Sequence, residues 1–214
     1  MISMLSLTAA GSKMKPIVKL IHPAANAKTV LLEYYGEVNS ADVKYNVGAQ
    51  LMLDTTIGFR YDVSFLQGSK AMSHVALFYK FSSPYQTIFY NYLNHKSEVI
   101  KQTASTGSND ISVIGKEKID SFACTHLRHA VNHDSEDYWM STAVPGFSQL
   151  TQVLQHIDAG LMSSINGTIF NWGGLVKLSM ISSSSKGQIE FKLHLIDAKT
   201  GLRFETSNFE VPKH

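Results

Sequence analysis

The chain has 214 residues, a formal net charge of +2 and a pI near 8.5. Hydrophobic residues make up 44% and charged residues only 17%, which excludes a disordered chain, normally charge-rich and aromatic-poor. Nineteen Lys and Arg against 17 Asp and Glu leave no electrostatic footprint for nucleic acid, and one cysteine excludes a disulfide framework and any paired-cysteine zinc or redox motif.

Residues 1–10 (MISMLSLTAA) are apolar and small, with Lys13 and Lys15 after them rather than before. That order is wrong for an intact signal peptide. Residues 1–27 are therefore expected to form an N-terminal segment, flexible or the remnant of a signal peptide, and 28–214 a single β domain. No apolar run reaches the ~18 residues of a membrane-spanning helix, so no transmembrane segment is expected.

Period-two alternation then takes over. Segments 29–38 and 43–53 read as strands. In 57–65, Ile57, Phe59, Tyr61, Val63 and Phe65 share one face, and Gly58, Arg60, Asp62 and Ser64 share the other. Successive strand side chains point to opposite faces, so this strand is predicted to have one buried and one wet side. In 71–81, Val75, Leu77, Tyr79 and Phe81 fall together. Segments 86–93, 97–102, 111–116 and 119–131 also read as extended, with a polar loop at 103–110. Segments 174–182 and 187–197 form a late pair joined by Ser183–Gly187, a good hairpin connection. One stretch has helical period. Pro145 suits a first helical position, and Phe147, Leu150, Leu154, Ile157 and Leu161 recur at three- and four-residue steps. The pattern predicts a mainly β (α+β) fold: a large antiparallel sheet with a helix at about 145–161 laid on its apolar face.

The densest chemical cluster runs from Cys124 to Asp137 and holds His126, His129 and His133. Zinc needs three or four such ligands converging tetrahedrally. On a helix, the three imidazoles share a face. On a strand, Cys124 and His126 share a face and His129 points away. The β pattern favours the strand, with 133–137 as a polar turn and Cys124 as a small buried apolar residue. His126, His129, His133 and Asp137 remain the candidate metal ligands if the chain is a metal enzyme. No phosphate-binding glycine loop, nucleophile elbow or HExxH motif is present, so no cofactor is expected. Asn166-Gly167-Thr168 matches a glycosylation sequon.

From Tyr79 onward, the order of landmarks carries a resemblance. Aromatic strands end in His95-Lys96-Ser97-Glu98, followed by Ile119-Asp120-Ser121-Phe122-Ala123-Cys124. A polar turn leads to Asp137-Tyr138-Trp139-Met140-Ser141-Thr142, then Pro145-Gly146-Phe147, and finally Asn208-Phe209-Glu210-Val211-Pro212. Over about residues 70–214 this resembles secreted proteins of unknown function, common in Bacteroidetes, that share a lipoprotein-carrier-like fold. Ser121 stands where those families usually have Gly, and the final Pro lacks the usual Gly-Tyr. The resemblance implies a curved sheet forming an incomplete barrel, a helix in its concave apolar face, and a concavity that receives acyl chains. It carries over no catalytic residue.

The expected function is a non-enzymatic, exported envelope protein, periplasmic or secreted, a monomer or weak dimer. Its partner would be a lipid, an acylated protein or another amphiphile, held by Phe59, Tyr61, Val63, Phe65, Leu77 and Tyr79 with the helix stripe Phe147, Leu150 and Leu154. The alternatives are the metal enzyme above and a structural interaction module of the envelope.

Overall fold

A computed structural model describes residues 28–82, 87–100, 111–131, 134–147, 167–184 and 187–212. Eleven strands follow in chain order: β1 Thr29–Asn39, β2 Lys44–Asp54, β3 Gly58–Gln67, β4 Lys70–Lys80, β5 Thr87–Asn91, β6 Lys96–Ile100, β7 Ile111–Ile119, β8 Phe122–Val131, β9 Asp134–Ser141, β10 Gly174–Ser184 and β11 Gly187–Thr200. All belong to one antiparallel sheet in the order β6-β5-β4-β3-β2-β1-β11-β10-β9-β8-β7. The predicted sheet is thus present, and it is not closed into a barrel. The helix expected at 145–161 falls largely on 148–166, outside the described residues, as do the whole of the expected loop at 103–110 and the segment 1–27.

Connectivity dictates the shape of this sheet. β6 and β7 are consecutive in the chain, yet they form its two edges. If the sheet were flat, ten inter-strand spacings would part the edges by about 48 Å. The eleven Cα steps from Ile100 to Ile111 reach at most about 40 Å. The sheet therefore curls, bringing its edges towards each other. Register shifts between Glu33 and Tyr34 on the β1–β11 pairing, between Leu175 and Lys177 on β10, between Val113 and Gly115 on β7 and between Phe65 and Leu66 on the β3–β4 pairing supply local bends.

Alternation sets the two faces. From β1 to β4 the register stacks Val30, Leu53, Phe59 and Tyr79, then Leu32, Leu51, Tyr61 and Leu77, then Tyr34, Ala49, Val63 and Val75. On the other flank, Leu193, Leu178, Tyr138 and Leu127 continue the same face. Most of these residues belong to one buried apolar cluster.

The opposite face departs from expectation. Arg60, Asp62 and Ser64 do point away from the main core, but this side is not simply wet. Asp62 is 8% exposed, and Ala76, Phe78 and Tyr90 form a second buried cluster packed by Ile88, Tyr92 and Val211. The cause is the C-terminal segment with its short 3-10 helix Thr206–Phe209, whose Phe209 is fully buried. Arg60 fastens it. The guanidinium makes two hydrogen bonds to the Asp62 carboxylate at 2.7 and 2.8 Å, donates to Tyr92 Oη at 2.8 Å and to the Asn208 carbonyl at 3.2 Å, and lies over the Phe78 ring. Lys80 adds an ion pair to Glu210 at 2.8 Å.

A second correction concerns residues 134–137. They read as a polar turn, but they begin β9 and pair with β8 through His129↔Glu136 and Arg128↔Asp137.

Candidate functional site

The apolar face is graded from one end to the other. At its closed end, Val30, Leu53 and Phe59 are at most 1% exposed. Something lies directly over them: Gly146, at φ 70°, sits so close that an added Cβ would meet the Val30 side chain. The chain at Gly146 therefore crosses the apolar face at Val30. Val144 and Ile169 are buried in the same cluster. At the other end, Val38, Val63, Phe65, Met180 and Phe191 are only half-buried. Val38, Phe191 and Met180 lie opposite one another across β1, β11 and β10, and Phe65 lies opposite Val47 on the neighbouring flank. This end is an apolar rim only partly shielded from solvent.

Six of the nine residues named from sequence for ligand binding are brought together here. Phe59, Tyr61, Val63 and Phe65 line β3 on this face, and Leu77 and Tyr79 of β4 lie opposite Tyr61 and Phe59. Phe59, Tyr61, Leu77 and Tyr79 are buried; Val63 and Phe65 belong to the open rim. Phe147 is half-buried, and Leu150 and Leu154 lie outside the described residues. Burial drives the phenols of Tyr34 and Tyr61 far above their ordinary range, so both stay neutral. Tyr34 donates to the Leu175 carbonyl at 3.1 Å.

Sequence reasoning named His129 but missed its pairing with Glu136 and Tyr138 on this face. His129 and Glu136 are 2% and 7% exposed and sit beside the Met180 end of the rim. Tyr138 Oη donates to Glu136 Oε2 at 2.6 Å, and His129 Nδ1 lies 3.3 Å from the same oxygen. The signal was the i, i+2 pair Glu136 and Tyr138 facing His129 across a hairpin, hidden because 133–137 read as a turn.

The histidine cluster is split by the strand geometry. His126 and Asp137 meet on the opposite face, Nε2 to Oδ1 at 2.7 Å, with Arg128 Nε on the same oxygen at 2.8 Å. His126 also stacks on Trp139 at 4.3 Å, Lys177 covers that ring at 4.2 Å, and the indole donates to Glu117. His129 is on the apolar face, and His133 lies outside the described residues. The proposed set His126, His129, His133 and Asp137 therefore does not converge: two of its imidazoles are on opposite sides of the sheet. Among the described residues, no three metal-ligating side chains come together. Cys124 is buried, donates weakly to the Phe122 carbonyl, and burial pushes its thiol up to about 11. A thiol so placed is not an activated nucleophile.

No family model matches the chain, and no curated protein matches it. Among solved structures, it is similar to a DUF1329 family protein from Desulfovibrio piger at 9% identity, covering 86% of this chain and 90% of that one, with a TM-score of 0.37. It is similar to a Vibrio parahaemolyticus domain assigned to outer membrane lipoprotein sorting at 9% identity, covering 85% and 88%, with a TM-score of 0.37. It is also similar to the Pseudomonas aeruginosa MucA/MucB complex at 9% identity, covering 88% and 57%, with a TM-score of 0.42. Among the described residues, no helix is long and apolar enough to cross a membrane.

Proposed function

We propose that the chain is a non-enzymatic, exported binding protein whose apolar face is the inside of the curl and takes the hydrocarbon part of a lipid, an acylated protein or another amphiphile. The observation that carries this reading is the gradient along that face, sealed at Val30 and Phe59 and open at Val38, Phe65, Met180 and Phe191. A protein that only needed a core would gain by sealing both ends. A half-buried apolar rim continuous with a buried core favours an apolar occupant instead. Each methylene moved from water onto this face contributes about 0.8 kcal/mol, so a few suffice for useful affinity. Residues 28–214 would act as one unit. Phe59, Tyr61, Leu77 and Tyr79 would form the floor, Val63 and Phe65 the entrance, and the stretch holding Phe147, Leu150 and Leu154 the cover.

Native mass spectrometry of the gently purified protein, followed by denaturing mass on the same sample, tests this. An excess of a few hundred daltons that vanishes on denaturation is the expected result. A bare native mass, together with co-purification of a protein on the same face, would replace the carrier by an interaction module. Phe65→Asp should abolish retention of the extra mass with less than about 1.5 kcal/mol lost in stability, because Phe65 is at the half-open rim rather than in the sealed core.

A further inference from the structure

Beside the apolar face, at the β7 edge, lies a cavity of about 760 Å³, within the range of small-molecule sites. Its lining includes Lys116, Glu117, Lys118, Thr125, Met140 and Trp172. The register places Lys116 opposite Thr125, Thr125 opposite Met140, and Lys118 opposite Ala123, so both lysines stand on the face that carries Leu127 and Tyr138. Met140 is buried in the main apolar cluster, which makes the cavity floor continuous with the core. Trp172, at the end of the 3-10 helix Gly167–Trp172, is 41% exposed.

Lys44, Lys80, Lys192 and Lys199 each pair with a carboxylate, and Lys177 covers Trp139. Lys116 and Lys118, like Lys28, Lys70 and Lys96, have no carboxylate partner among the described residues, and they are the two that line this cavity. Glu117 between them projects to the other face, where it accepts the Trp139 indole N–H and lies 3.8 Å from His126. Two lysines whose Cα atoms are about 7 Å apart along one strand, bordering apolar surface, repel each other and attract an anion between them. An aromatic wall and an apolar floor beside them suit the first carbons of a chain attached to that anion.

We propose that this cavity seats the anionic end, a carboxylate or phosphate, of the amphiphile whose hydrocarbon occupies the apolar face, with Lys116 and Lys118 as its counter-charges and Trp172 as the wall beside it. The proposal rests on the carrier reading and deepens it.

The test compares two probes with the same pyrene-labelled C12 chain, one ending in a carboxylate and one in an uncharged alcohol, titrated into the full chain at pH 7.4. The acid is expected to bind at least tenfold tighter than the alcohol, with the difference shrinking as salt is raised. Lys116→Gln/Lys118→Gln should bring the acid to the affinity of the alcohol and leave the alcohol unchanged. Equal binding of both probes by the unaltered protein overturns the head-group site while leaving the carrier reading intact. Failure of both probes to bind overturns the carrier reading and the site with it. Lysines on an edge strand also deter pairing with another sheet. A double variant that self-associates on gel filtration yet keeps its preference for the acid would assign the lysines to that role and overturn the proposal.

Discussion

Gly36 stands on the apolar face of β1, where a Cβ would run into the Lys192 carbonyl on β11. The two backbones approach closely there, two residues beyond the register shift at Tyr34, and only hydrogen fits. Gly36→Ala should therefore destabilise the fold by about 1–3 kcal/mol through overpacking, measured by urea denaturation. Gly48, with nothing near its position, is the control: the same substitution there should be almost neutral. The buried phenols of Tyr34 and Tyr61 give a second expectation at this scale. Their folded values lie far above the ordinary 10.0, because burial penalises the phenolate. The unfolded chain can ionise above pH 10 and the folded one cannot. Their contribution is thus complete below pH 10 and falls as pH rises beyond it, by up to about 1.4 kcal/mol per pH unit for each. Tyr34→Phe/Tyr61→Phe should flatten that alkaline decline in urea midpoints, while Tyr34→Phe loses about 1 kcal/mol at neutral pH with its bond to Leu175.

At the scale of elements, Arg60 is the polar centre of the C-terminal strap, beside the Lys80–Glu210 ion pair and the buried Phe209. Arg60 and Asp62 are both largely buried, and the Arg60 guanidinium alone joins β3, Tyr92 and the Asn208 carbonyl. Burial works against its charge, but the Asp62 and Tyr92 bonds outweigh that and leave its pKa raised. Arg60→Ala should cost about 3 kcal/mol, because it leaves the Asp62 carboxylate buried with only His74, 3.8 Å away, beside it. It should also expose the chain after Gly201 to limited proteolysis before the sheet itself is cut. Arg60→Lys should not rescue, since one ammonium cannot make the two-pronged bond to Asp62 and also reach Tyr92 and Asn208. This strap was illegible in the sequence for a physical reason. Alternation in 57–65 reports which residues share a face and says nothing about what later covers it, so Arg60 and Asp62 read as a wet side. The strands themselves were legible because their apolar residues repeat every second position against one core. The start of β9 was not, because Asp134-Ser135-Glu136-Asp137 has turn composition and only the cross-strand partners His129 and Arg128 reveal it as strand. Phe59, Tyr61, Leu77 and Tyr79 could be placed on one face from spacing alone. That Phe65 and Val63 lie at an open rim could not, because exposure along a face depends on where Gly146 crosses it.

At the scale of the whole molecule, the edge-to-edge connection decides the architecture. A chain whose sixth and seventh strands are the two edges of an eleven-stranded sheet can close its path only by curling that sheet. Both edges carry exposed apolar side chains, Val99 on β6 and Val113 and Ile114 on β7. Spin labels at Val99→Cys and Val113→Cys, in a Cys124→Ala background, should therefore report a separation well below the flat-sheet ~48 Å. A distribution centred near that value would refute the curl. The same pair of labels also reads the binding reaction. A rigid curl filled by its own side chains would give one narrow distance that no amphiphile alters. An open one that closes on hydrocarbon should give a broader distribution that narrows and shortens when the C12 acid is added. The half-buried rim of Val38, Phe65, Met180 and Phe191 favours the second behaviour, because those side chains still have water to lose.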